Sequence, residues 1–138
     1  MAIANGYFVI ITTSHESYEH EKRNIENLVN MRVEGIIACL SQETTDFSHL
    51  SALKDINMPL ILFDRVCLSD QFSSVIADGV QSAQMATQHL LDNGSKRVAF
   101  IGGANHLDIV KRRKHGYLEA LRENRIPIEK ELDRLPED

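Results

Sequence analysis

Apolar and polar positions fall into alternating blocks along these 138 residues. Residues 7–13, Tyr-Phe-Val-Ile-Ile-Thr-Thr, form an aromatic and β-branched run behind Asn5-Gly6, which predicts a strand. Thr13-x-x-Glu16 fits a capping box for a helix with Tyr18, Ile25, Leu28, Val29 and Met31 as its apolar positions. Residues 33–40 predict a second strand. After a polar loop, Phe47, Leu50, Leu53 and Ile56 share one face of a short helix that Pro59 stops. Residues 60–64 and 74–77 predict the third and fourth strands. A helix follows from about Val80 to Asn93, with Val80, Ala83, Thr87 and Leu90 inward and Gly94 as its stop. A strand over 97–101 and a helix over 108–123 complete the series. Strands that are apolar on both faces and separated by helices predict an α/β fold, a parallel sheet with flanking helices.

Both ends read as cut. Residues 1–6 resemble the last turn of a helix, and the charged stretch 126–138 reads as the approach to an absent strand. The net charge of −5 argues against nucleic acid or an anionic membrane as a partner of the segment as a whole. No apolar run is long enough to span a bilayer, and no signal peptide is visible. Cys39 and Cys67 have no metal-type spacing and read as free thiols of a reducing, cytoplasmic compartment.

Candidate chemistry gathers where strands end and helices begin, the usual ligand position in open α/β sheets. Asp64 ends the third strand beside Phe63, so it can accept hydrogen bonds from ligand hydroxyls while Phe63 stacks on an apolar ligand face. The competing structural role is a turn cap paired with Arg65. Arg113 precedes Gly116-Tyr117 in the pattern Arg-x-x-Gly-Tyr, on the helix behind Gly102-Gly103. Its guanidinium fork can bind hydroxyl or anionic oxygens, whereas Arg112 is expected to face elsewhere. The competing role is one solvated charge in the run 111–114. Gly102-Gly103 carries neither common phosphate-loop pattern. His15 and His20 are five residues apart, roughly 140° around a helix, so they share no metal. No metal cluster, catalytic triad or paired carboxylates can be assembled, so no cofactor and no enzymatic activity are expected.

In order, Gly6-Tyr7, Val33-Glu34-Gly35-Ile36-Ile37, Pro59 to Arg65, Val75-Ile76-Ala77-Asp78, His89-Leu90, Asn93-Gly94, Lys96 to Gly103 and Arg113-x-x-Gly116-Tyr117 resemble the effector-binding core of the LacI/GalR family of bacterial transcription regulators. The family pattern departs at Ala77, where an aspartate is usual, and at Ser95, where a histidine is usual. The resemblance implies a periplasmic-binding-protein-like fold of two α/β lobes, here residues 1–78 and a truncated 79–138, incomplete at both ends. It places Asp64 and Arg113 on ligand-contacting positions, Phe63 on an apolar wall, and Asp78 and Gly79 at the crossover between lobes. The function it implies is sensing of a sugar or related small-molecule effector by a cytoplasmic homodimer. DNA would be bound only through a helix-turn-helix headpiece outside this chain. The alternatives are a periplasmic sugar-binding transport protein of the same fold and a nucleotide-handling α/β enzyme.

Overall fold

The structure, a computed structural model, describes residues 3–67 and 71–134. Among the described residues there are four α-helices: α1 (Tyr18–Asn30), α2 (Ser48–Asp55), α3 (Gly79–Asp92) and α4 (Asp108–Glu123). The strands are β1 (Ile36–Ala38), β2 (Leu60–Phe63), β3 (Ser73–Val75), β4 (Phe100–Ile101) and β5 (Asp133–Arg134). They form one sheet in the order β1-β2-β3 and another of β4 and β5. Strands alternate with helices along the chain, an α/β arrangement, and β4 pairs parallel to β5. Contacts divide the chain into residues 1–61 and 62–138, with the boundary inside β2.

In the first unit, Ile25 of α1, Ile36 of β1, Leu50 and Leu53 of α2, and Leu60 of β2 are buried. Alternation along β2 buries Leu60 and Leu62 and exposes Ile61 and Phe63, as a two-residue period requires. The amide of Ile36 donates to the Pro59 carbonyl at 2.8 Å, which ties β1 to the approach of β2.

A polar cluster accompanies this apolar core. Glu21 of α1 is only 5% exposed. Its carboxylate accepts from the Ser41 amide and from the Thr44 hydroxyl at 3.0 Å, and lies 2.9 Å from His49 Nε2. Tyr18 stands edge-on to the His49 ring, and its hydroxyl donates to Asp46 at 3.0 Å. The Ser48 amide, then its hydroxyl, then Tyr18 hold the Asp46 carboxyl below the usual carboxylate range. These bonds fasten the loop after β1 to the start of α1.

In the second unit, α3 packs on α4, and Val98, Tyr117 and Leu121 form a buried cluster flanked by Leu91, Phe100, Leu118 and Ile126. Tyr117 stacks on Phe100 and donates its hydroxyl proton to the Val98 carbonyl at 2.9 Å. Burial is the first cause that raises its pKa, followed by the nearby Asp133 and Glu129 carboxylates.

Several sequence expectations are corrected. Residues 7–13 form no strand: among the described residues no neighbouring strand pairs with them, so an apolar, β-prone run lacks its ladder. Helix α1 begins at Tyr18 because His15 and Glu16 adopt φ of 52° and 63°, outside the helical range. The N-cap is Ser17, which accepts from the His20 amide, and Thr13 and Glu16 form no capping box. Met31 and Ile56 are exposed. Leu90 is also exposed, and its neighbour Leu91 takes the inward place. The tail is not strandless. β5 pairs parallel to β4, with Phe100 opposite Asp133 and Ile101 opposite Arg134. This pairing uses main-chain groups, so a charged segment can supply it. Lys114 further holds Asp133 at 2.7 Å.

Candidate functional site

Asp64 leaves β2 with φ of 58°, a left-handed conformation that costs a non-glycine residue energy. Its amide donates to the Val75 carbonyl at 3.2 Å, so the neighbouring strand holds the turn in place. The side chain remains exposed, as does that of Phe63. Three residues after β3, Asp78 caps α3: its Oδ1 accepts from the Val80 and Gln81 amides, both at 3.1 Å. The Asp78 carboxylate is therefore already engaged by the helix it starts.

Gly79, the first residue of α3, lies against α4. A Cβ there would come within 3.2 Å of Arg112 Cβ and 3.7 Å of Arg113 Cγ. Close approach of the two helices explains why the smallest residue stands at this point. Farther along the same contact, a Cβ at Gly116 would overlap the Val80 carbonyl oxygen.

The N-terminus of α4 has Leu107 at its cap position, with no side-chain hydrogen bond to the first turn. Asp108 follows, and its Oδ2 lies 2.6 Å from Arg112 Nε one turn later. A shallow recess, with enclosed room of about 20 Å³, is lined by Asp64, Ile76, Gly79, Asp108, Ile109 and Arg112 among others. Its walls are mostly apolar, with the polar groups of Asp64, Asp108 and Arg112 converging on it.

The structure thus brings Asp64 and Gly79 to one recess. Phe63 and Arg113 do not line it. Arg113 is exposed and makes no ion pair among the described residues. Arg112, expected to face elsewhere, lines the recess because its stem packs beside Gly79. Asp108, Ile109 and Ile76 were missed by sequence reasoning. The Asp108–Arg112 spacing of four was the readable signal for Asp108. Among the described residues, no group of three or more His, Cys, Asp or Glu side chains could hold a metal ion.

The sequence profile of periplasmic binding proteins and the sugar-binding domain of the LacI family matches residues 2–136. The chain belongs to this family. It is 32% identical over 127 residues to catabolite control protein A of Priestia megaterium, covering 88% of this chain and 36% of that protein. It is 26% identical over 126 residues to the transcriptional repressor PurR of Actinobacillus pleuropneumoniae, covering 91% of this chain and 37% of the repressor. The curated relatives named are transcriptional regulators and repressors, not enzymes.

Among solved structures, the transcription regulator CcpA of Lactococcus lactis superposes with a TM-score of 0.84 at 26% identity, over 99% of this chain and 50% of that one. The Cra regulator of Pseudomonas putida, in complex with fructose 1-phosphate, superposes at 0.79 with 26% identity, over 87% of this chain and 44% of that one. The regulator CelR in complex with cellobiose does so at 0.71 with 25% identity, over 86% and 36%. The chain therefore spans little more than a third of its curated relatives and half or less of these solved chains. No helix among the described residues is long and apolar enough to cross a membrane.

Proposed function

We propose that this chain is the ligand-sensing part of a LacI-type transcriptional regulator. Its effector is a sugar or related small metabolite. Binding controls, through lobe movement, the DNA affinity of a helix-turn-helix headpiece outside these residues. The protein acts in the cytoplasm as a homodimer. The lobes are residues 1–78 and 79–138, joined at Asp78 and Gly79, and Phe63, Asp64 and Arg113 contact the effector.

The observation that carries this reading is the convergence of Asp64, in a strained turn at the end of β2, with Gly79 on one recess. Strained residues cluster at functional sites. The kinship of the chain supports a regulator over a transport protein, because its named relatives repress transcription. Two related regulators were solved with sugars bound, fructose 1-phosphate and cellobiose.

The test is a sugar panel read by thermal shift on the full-length protein, followed by operator binding with and without the hit. Arg113→Ala should weaken effector binding by about 2 kcal/mol or more, the cost of a charged hydrogen bond left unmade. Asp64→Asn should reduce affinity and leave the fold intact. Equal losses in Arg112→Ala and Arg113→Ala, or none in either, remove Arg113 from the role. Operator affinity that no panel member changes removes the sensor reading for that panel.

A further inference from the structure

Residues 14–17 form a turn where their own sequence encodes the start of a helix. His15 and Glu16 have φ of 52° and 63°, and the Ser17 amide closes the turn on the Ser14 carbonyl at 3.1 Å. Two successive left-handed residues at the centre of a tight turn are the usual place of Asn and Gly, which tolerate positive φ. Here a histidine and a glutamate bear that strain.

The loop after β1 holds the turn in place. Ser41 Oγ donates to the Glu16 carbonyl, and the Gln42 amide donates to the Glu16 carboxylate, both at 2.7 Å. The Glu43 carboxylate accepts from the Tyr18 amide at 3.1 Å. Asn24 Nδ2 donates to the Thr13 carbonyl at 3.0 Å, and Thr13 Oγ1 lies 2.9 Å from His15 Nε2. Two of the groups so engaged are those a longer helix would use itself. With α1 one turn longer, the Tyr18 amide would donate to the Ser14 carbonyl, and the Glu16 carbonyl would accept from the His20 amide. That His20 amide is now held by the Ser17 side chain. Loop 41–43 therefore substitutes for a turn of helix. Residues 14–17 include no apolar side chain, and His15 and Glu16 are exposed, so winding them into α1 gives up no core contact.

We propose that residues 14–17 are a two-state segment whose state is set by loop 41–43. In one state they form the latched turn. In the other the loop lets go, α1 begins at Ser14, and Thr13 and Glu16 close the capping box that their spacing encodes. The balance sets the contacts from the loop and Asn24 against two strained residues and an unused cap. Displacement of the loop is thereby converted into a change of helix length.

The test is backbone NMR on the 138-residue chain. It reads the Cα shifts and medium-range NOEs of residues 14–17, with relaxation dispersion for a sparse minor state. The wild type should show mainly the turn. Ser41→Ala/Glu43→Ala removes two of the loop contacts and should raise the helical population about tenfold or more, the scale of two hydrogen bonds lost. Adding Thr13→Val, which deletes the capping hydroxyl, should cancel that gain. His15→Gly should suppress the helical state and raise the urea midpoint, because glycine takes positive φ without strain.

Residues 14–17 that keep the turn after the loop contacts are removed overturn the proposal. So do random-coil shifts in place of helical ones, and a helical gain that survives Thr13→Val. Should the double variant fail to fold, His15→Gly decides. A urea midpoint below that of the wild type shows a turn without strain, and the bias toward the longer helix is then absent.

Discussion

Gly116 of α4 lies so close to the Val80 carbonyl of α3 that a methyl group on its Cα would overlap the oxygen. This contact sets the separation of the two longest helices. The added Cβ would also come within 3.0 Å of the Gln84 amide nitrogen, so the obstruction is backbone and cannot rotate away.

Gly116→Ala should therefore destabilise the protein although alanine is the better helix former. The propensity gain is about 1 kcal/mol. Overpacking a tight contact costs about 1–3 kcal/mol, and here the main chain of α3 must move. We expect a net loss of about 1 kcal/mol or more, read as a lower urea midpoint by circular dichroism. An unchanged or raised midpoint would show that α3 and α4 slide apart at little cost.

The buried Glu21 and His49 should act as a coupled pair. Glu21 already accepts from Ser41 and Thr44, so His49 Nε2 is the third donor to one carboxylate. Glu21→Ala strips the acceptor from all three and should cost about 3 kcal/mol or more, the scale of breaking a buried pair. In a double-mutant cycle with His49→Ala, the double variant should lose less than the sum of the singles. Additivity within about 0.5 kcal/mol would mean that the two side chains stabilise the fold independently.

How much of this was legible in the sequence depends on how local each cause is. The bounds of α4 follow from its own apolar period and terminal residues, and prediction and structure agree over 108–123. Strand 7–13 failed because a strand needs a partner, and none among the described residues pairs with it. The Thr13 capping box failed to two left-handed residues that no motif announces. Nothing in the local sequence marks Glu21, because its partners lie 20, 23 and 28 residues away. At the candidate site, Asp64 was visible as a carboxylate at a strand end. The choice between Arg112 and Arg113 was not visible. Stems of both arginines lie beside Gly79, yet only Arg112 reaches the recess lining.

Tyr117 should make stability fall at alkaline pH. Burial holds its pKa above the ordinary 10.0, and the Asp133 and Glu129 carboxylates add to the rise. The folded state therefore keeps a proton that the unfolded state releases. The contribution is fully present below 10.0 and is lost as pH rises through the folded value. Urea midpoints on either side of that value should show the fall in the wild type and a smaller fall in Tyr117→Phe. At neutral pH the same variant should lose about 1 kcal/mol, because the Val98 carbonyl loses its donor. An alkaline fall of equal size in both proteins would assign it to other groups.

The exposed run 7–11 should make this chain self-associate. Phe8 is 98% exposed, Ile11 86%, and Tyr7, Val9 and Ile10 all more than half. Five consecutive apolar residues, paired with no strand among the described residues, present main-chain groups and apolar side chains together, a combination that seeks another strand. No residue from 1 to 14 is charged, so no like-charge repulsion protects the segment. Size-exclusion chromatography with light scattering should show concentration-dependent assembly of the 138-residue chain. Phe8→Lys and Ile11→Lys place charges on positions that contribute little to the fold, so the helical signal should persist while the assembly shrinks toward monomer. A stable, monodisperse monomer of the wild type, or assembly that both lysine variants leave untouched, would show that this run is not the adhesive surface.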